Sequence, residues 1–123
     1  MTATPKRKLL VVVSESALKD KATIAMTLAN ASLSAGLEVG VFLTADGVDL
    51  ARAGAADQAQ FKPFRPLAEL FETFVANGGT VFACGSCWTH RGLDAERTAE
   101  GATLSGIGQV VDWIAAGAQI VSF

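Results

Sequence analysis

The chain has 123 residues, 50% of them hydrophobic, with a formal net charge of −2. That length leaves room for one ordinary domain, and a pI near 5.3 provides no basic footprint for nucleic acid. A mean hydropathy of +0.37 is high for a chain with so much surface per unit volume, so the apolar excess points to a subunit interface.

In chain order, residues 1–8 read as a flexible N-terminal tail and residues 9–123 as a single domain. The tail carries Lys6-Arg7-Lys8, a basic cluster that reads as a solvated flank. The apolar run behind it, Leu9 to Val13, stops at Ser14-Glu15 and is too short for the core of a signal peptide. No run approaches membrane-spanning length, so the expected location is the cytoplasm, where thiols stay reduced.

Five strand-like segments alternate with helix-like ones. Leu9-Leu10-Val11-Val12-Val13 is a continuous β-rich run, the pattern of a strand buried on both faces. A helix is expected over Asp20–Ala35, with Ile24, Leu28, Ala31 and Ala35 at helical spacing and Gly36 as its stop. Glu38–Leu43 reads as the second strand and Thr44-Ala45-Asp46-Gly47 as a turn. The Pro-rich stretch from Phe61 to Pro66 reads as a surface loop carrying two rings. Pro66–Asn77 reads as a helix ended by Gly78-Gly79, and Thr80–Ala83 as the third strand. A short piece of structure near Ala102-Thr103-Leu104 precedes a helix marked by Ile107, Val110, Val111, Ile114 and Ala115, and Gln119–Phe123 closes the chain as a strand.

Apolar strands alternating with helices imply right-handed βαβ units and a mainly parallel five-stranded sheet, an α/β sandwich of Rossmann-like or flavodoxin-like type. Function in such sheets gathers at the carboxyl ends of the strands. Here those ends carry Ser14-Glu15-Ser16, Thr44-Ala45-Asp46-Gly47 and Cys84-Gly85-Ser86-Cys87, which should converge on one rim.

The segment Cys84-Gly85-Ser86-Cys87-Trp88-Thr89-His90-Arg91-Gly92 concentrates the chemistry, with both cysteines and the only histidine. A helix starting after the third strand would set Cys84 at its N-terminus, where a thiolate is favoured. Gly85 would allow close approach of a substrate sulfur or an unusual backbone angle. Arg91, four residues after Cys87, would share its helical face and stabilise a thiolate or persulfide anion. His90 is placed to donate or accept a proton, though a lone histidine reads first as a satisfied surface residue. The plainer reading of Arg91 is a structural ion pair, for example with Asp94 or Glu96, and that of Trp88 is core or interface. Glu15 and Asp46 at the rim read as turn caps or as site residues.

Rival chemistries are less well supplied. Cys84, Cys87 and His90 lack the fourth protein ligand of structural zinc. A thioredoxin-like dithiol fits the Cys-x-x-Cys spacing, but thioredoxins carry a cis-proline near the site, and none of Pro5, Pro63 and Pro66 precedes a strand convincingly. There is no G-x-G-x-x-G after the first strand, no GK[ST] loop and no G-x-S-x-G elbow.

The chain resembles the DsrE/DsrF-like family, which includes TusD-type sulfur-relay subunits and YchN-like proteins. The resemblance rests on Leu9–Val13, on Thr44-Ala45-Asp46-Gly47-Val48, on Cys84-Gly85-Ser86-Cys87 with Arg91-Gly92-Leu93, on Gly101-Ala102-Thr103 and on Ile120-Val121-Ser122-Phe123. It implies a flavodoxin-like sandwich, assembly as a trimer or hexamer, and a persulfide on the cysteine matching Cys84, passed to a partner protein. The Cys-x-x-Cys pair is closer to the YchN-like branch, since the TusD-type match to Cys87 is not a cysteine. The expected function is that of a sulfur carrier or sulfurtransferase needing no cofactor and no metal, with Cys84 as nucleophile, Cys87 resolving or sharing the persulfide and Arg91 stabilising the anion. Its expected partners are copies of itself and a sulfur donor or acceptor protein, with neither nucleic acid nor membrane. A non-catalytic assembly module using Phe61, Phe64 and Trp88 for contacts, and a thiol-disulfide redox protein, are the alternatives.

Overall fold

The computed structural model describes residues 6–94 and 97–123. Five strands form one sheet: β1 (Lys8–Val13), β2 (Glu38–Leu43), β3 (Thr80–Cys84), β4 (Ala102–Ser105) and β5 (Gln119–Ser122). Their order across the sheet is β4-β3-β2-β1-β5, and every pairing is parallel. The helices are α1 (Asp20–Ser34), α2 (Leu67–Ala76), α3 (Gly85–His90) and α4 (Ile107–Ala115). Between β2 and α2 the chain coils into two 3₁₀ segments, Ala45–Ala51 and Ala55–Gln58. Among the described residues no helix is long and apolar enough to cross a membrane.

The topology distributes the helices unequally. From β1 to β4 the chain steps one strand at a time in the same direction, so right-handed crossovers put α1, α2 and α3 on one face. From β4 it returns across the whole sheet to β5, which leaves α4 alone on the other face. The alternation of side chains follows. Leu9, Val11, Val13, Val39, Val41, Leu43, Val81 and Ala83 pack with α1, α2 and Trp88 in the larger core. Leu10, Phe42 and Phe82 turn the other way, under Val110 and Trp113 of α4. Their rings interact, with the Phe42 and Phe82 centroids 5.1 Å apart.

Each helix ends in the same way. Gly36, Gly78, Gly92 and Gly117 adopt positive φ just past the four helices. In each case the next amide reaches back, as Leu37 N–H does to the Ser32 carbonyl at 3.1 Å and Leu93 N–H to the Trp88 carbonyl at 3.2 Å. At Gly92 this closure turns the chain away directly after Arg91, fixing where the motif ends.

Two elements differ from expectation. The short piece near Ala102–Leu104 is a full edge strand, β4, in register with β3 so that Cys84 faces Ser105. Trp88 is 1% exposed and belongs to the core, so it offers no contact surface to a partner. By contrast α4 buries none of its residues fully. Ile107, Val111 and Ile114, at i, i+4 and i+7, are 65%, 56% and 50% exposed, and Ile120 and Val121 of edge strand β5 are 47% and 37% exposed.

Candidate functional site

The parallel register brings the ends of β1, β2 and β3 level, since Val13 pairs with Leu43 and Leu43 with Ala83. The three strand-end segments therefore meet at one rim, as expected. Thr44 N–H donates to the Val13 carbonyl at 3.0 Å, tying the β2 end to the β1 end. Asp49, further along the same 3₁₀ segment, accepts from the Ser16 hydroxyl and from the Ala17 N–H at 2.7 Å, which fastens the loop after β1.

The cysteines bracket the junction of β3 and α3. Both are free thiols and both are half-buried. Cys84 is the N-cap of α3, and its Sγ accepts the Cys87 N–H at 3.4 Å. Sulfur here takes the place that an oxygen of Ser, Thr or Asp usually fills. Cys87 Sγ lies 3.6 Å from the Thr44 hydroxyl. The Cys87 thiol is held below its ordinary pKa. The backbone N–H of Ala45 contributes most, followed by the Thr44 hydroxyl and the Cys84 thiol, and the Arg91 charge contributes least; burial opposes them.

Arg91 points where two readings of the sequence overlap. Its guanidinium donates to the Cys87 backbone carbonyl at 3.3 Å, whereas the four-residue spacing directs it at the sulfur. It also pairs with Asp46 at 3.0 Å, across 45 residues of sequence. Asp46 of the facing turn is thus an ion-pair partner of Arg91; Glu96, one of the partners foreseen, lies outside the described residues. The Arg91 side chain is 30% exposed and the Asp46 side chain 73%, so the pair contributes little to stability but ties the turn to the cysteine helix.

Other expectations resolve differently. Gly85 keeps an ordinary backbone angle, and a Cβ there would sit 3.5 Å from the Ser105 carbonyl, a normal contact. Neither strain nor crowding requires glycine at that position. His90 closes α3 and is exposed. Among the described residues no three His, Cys, Asp or Glu side chains gather in a metal-holding group. Pro63 follows a cis bond and stands before α2, not before a strand.

Sequence reasoning assigned no role to the Thr44 hydroxyl or to the Ala45 amide. Thr44 is common at strand ends, and alanine gives no hint of an unusual angle. Yet Ala45 has φ +51°, the one positive-φ non-glycine residue among those described. A cavity of about 500 Å³ opens elsewhere, against Phe71 and Val75 of α2, and neither cysteine lines it. Both thiols stand half-buried at the strand-end rim.

The model of the DsrE/DsrF-like family matches residues 7–123. An uncharacterized protein of Methanopyrus kandleri is 33% identical over 115 residues, covering 92% of this chain and 91% of that protein. One from Methanocaldococcus jannaschii is 28% identical over 117 residues, covering 94% and 99%. In fold, the YchN protein from E. coli superposes with a TM-score of 0.78 at 16% identity, over 97% of this chain and 100% of the other. A protein of Methanobacterium thermoautotrophicum does so with a TM-score of 0.71 at 17% identity, over 96% and 100%.

Proposed function

Because the chain belongs to the DsrE/DsrF-like family, we propose that it handles sulfane sulfur, as a persulfide carrier or sulfurtransferase whose site is the Cys84–Cys87 pair. Family membership supports a role of the sulfur-relay type. The observation that carries the specific reading is the meeting of two free, half-buried thiols at the strand-end rim, with hydrogen-bond donors directed at sulfur. A thiolate of the pair attacks the outer sulfur of a donor persulfide. The new S–S bond forms as the donor's S–S bond breaks, and the donor leaves as a thiolate with the bonding electron pair. The other cysteine can then attack the loaded one, releasing sulfide and leaving a Cys84–Cys87 disulfide that an external thiol must reduce. Arg91 holds the Asp46 turn against this centre.

The test is intact mass after exposing reduced protein to inorganic polysulfide. Wild type is expected to gain one sulfur atom, or to lose two hydrogens where the second cysteine has released that sulfur as sulfide, and the Cys84→Ser/Cys87→Ser double variant to do neither. An unchanged wild type, or an equal gain in the double variant, would overturn the reading.

A second property is favoured by the apolar stripe of α4 and β5: the domain, residues 9–123, works as a homo-oligomer, a trimer or hexamer, with this face between copies. Water-exposed Ile107, Val111 and Ile114 at one helical spacing on α4, with exposed Ile120 paired to Leu10 of the strand that α4 covers, are the observation behind it. The rim that carries the cysteines stays free for a sulfur donor or acceptor protein, and the cytoplasm, where the pair is kept reduced, is the compartment this chemistry suits.

A further inference from the structure

The hydrogen-bond donors at the rim are not shared equally between the two thiols. Cys84 Sγ receives one backbone N–H, that of Cys87, at 3.4 Å. Cys87 Sγ faces a turn from another part of the chain, with the Thr44 hydroxyl at 3.6 Å, and the backbone N–H of Ala45, the next residue, contributes most to its lowered pKa. Ala45 takes φ +51°, an arrangement that costs an alanine about 1 kcal/mol or more and persists only where its surroundings enforce it. The enforcing contacts are visible on both sides. Thr44 N–H is bonded to the Val13 carbonyl, Gly47 N–H closes on the Thr44 carbonyl at 2.9 Å, and Asp46 is held by Arg91.

We propose that the Thr44–Ala45 turn is an anion cradle for the Cys87 sulfur, and that it makes Cys87 the thiolate that reacts first and accepts the sulfane sulfur. The inference rests on the sulfur-handling reading only for its last step; the cradle itself concerns thiol acidity. With Cys87 ionised, the Thr44 hydroxyl has to act as donor, and the Ala45 amide needs no proton movement to do so. Cys84 is then the neighbour that supports the Cys87 thiolate and later attacks Cys87 Sγ, so that the Cys84–Cys87 bond forms as the bond to the outer sulfur breaks and that sulfur leaves as sulfide. The charged and titratable groups around Cys87 are Cys84 from β3, Arg91 following α3 and Asp46 from the 3₁₀ segment. Arg91 contributes the smallest share of the lowering of the Cys87 pKa and is itself paired with Asp46. Thr44 and Ala45 are positioned to touch the reacting sulfur, while Arg91 and Asp46 act through the turn as positioning residues.

The sign is that of an acid held below its ordinary value, so reactivity rises with pH and levels off earlier than for a free thiol. Losing one hydrogen bond to the thiolate should raise the Cys87 midpoint by about one pH unit, a roughly tenfold drop in thiolate fraction below the midpoint. The more basic thiolate is a better nucleophile, which returns about threefold, so the rate at fixed pH falls only about threefold and the midpoint is the cleaner readout.

The experiment is the pH–rate profile of iodoacetamide alkylation in two single-thiol backgrounds, Cys84→Ser and Cys87→Ser, each with Thr44 intact, Thr44→Val and Thr44→Ser. Serine at position 84 keeps a hydroxyl donor beside Cys87. The expected result is a Cys87 midpoint below that of an ordinary thiol, raised about one unit by Thr44→Val and restored by Thr44→Ser, with no such response to Thr44 in the Cys87→Ser background. A Cys87 midpoint unaffected by Thr44→Val, or an equal shift of both thiols, would overturn the cradle. Thr44→Ser keeps the test open should Thr44→Val fold poorly, because it must then retain the low midpoint. Polysulfide loading of the same proteins separates the two readings. Sulfur retained by Cys84→Ser and lost by Cys87→Ser supports the assignment, and the reverse pattern overturns it. A shifted midpoint with no loading anywhere leaves the cradle standing and removes sulfur handling.

Discussion

Gly47→Ala lowers the melting temperature by about 10 °C and raises the alkylation midpoint of Cys87, whereas Gly85→Ala leaves stability nearly unchanged. Both glycines lie in segments that look functional, but the structure separates them. A Cβ on Gly47 would sit 2.2 Å from the Val13 carbonyl oxygen and 2.8 Å from its carbon, and 3.3 Å from the Glu15 oxygen. These are backbone atoms of an interior strand and its exit, and no rotamer change can move them aside. To restore a tolerable contact, the 3₁₀ segment has to withdraw by nearly an ångström. That displacement strains the Thr44–Val13 hydrogen bond and takes Thr44 and Ala45 away from Cys87. Overpacking of this kind costs roughly 1–3 kcal/mol, at several degrees of melting temperature per kcal/mol in a chain of this size. At Gly85 the added methyl group makes an ordinary contact with the Ser105 carbonyl, and loss of glycine's freedom in the unfolded chain offsets any small clash. Thermal melts of the two variants check the pair. A Gly47→Ala melt within a degree or two of wild type would show that the turn gives way freely, and a cradle built on it would not be rigid enough to tune a thiol.

How much of this was legible in the sequence follows from where the physical signal is local. The interior strands β1 and β2 were plain, because a parallel strand covered on both faces must be apolar without alternation, as Leu9–Val13 is. Helix ends were plain because Gly36 and Gly78 mark left-handed stops. The edge strand β4 was faint: four residues, Ala102-Thr103-Leu104-Ser105, with one fully buried side chain, leave little pattern to read. The Cys-x-x-Cys motif and its position at a strand end were also readable. What was not readable is which residues from elsewhere face it. The Asp46–Arg91 pair spans 45 residues and depends on the register of β2 against β3, so spacing along the chain could only offer Arg91 to its own helix and to its near neighbours. Ala45 carries no marker of its φ, since the turn is imposed by Gly47 packing on Val13 and not by the residue that bears the strain. Trp88 could have been core or contact, and the deciding fact is that α3 lies on the well-covered face of the sheet, with α1 and α2.

Val111→Glu combined with Ile114→Glu is expected to convert the assembled protein to a folded monomer, with mass by light scattering falling to that of one chain. The apolar excess noted from composition is concentrated, in the fold, on the face that a single nine-residue helix has to cover. Val110 and Trp113 turn inward, with Trp113 lying on Gly40, where a Cβ would meet the ring at 2.7 Å. Val111 and Ile114 project outward, more than half and half exposed, next to the exposed edge strand β5. Their replacement therefore removes no contact from the core of the isolated domain, and surface changes of that type usually alter stability by no more than about 0.5 kcal/mol. In an interface the same positions become buried. Each aliphatic side chain contributes roughly 1.5–3 kcal/mol there, and an unpaired carboxylate in its place adds a desolvation cost. A loss of at least 3–6 kcal/mol per subunit weakens association by about two to four orders of magnitude, enough to dissociate the oligomer at micromolar concentration. Circular dichroism of the double variant should match wild type, which separates dissociation from unfolding. A wild type that is monomeric under the same conditions, or a double variant of unchanged mass, would remove this face from the assembly and leave its exposed isoleucines unexplained. Because α4 begins at Ile107, just after the Ser105 that pairs with Cys84, the monomer also reports on the site. If the dissociated protein still loads sulfur on Cys87, assembly serves partner choice and not the chemistry of the thiol.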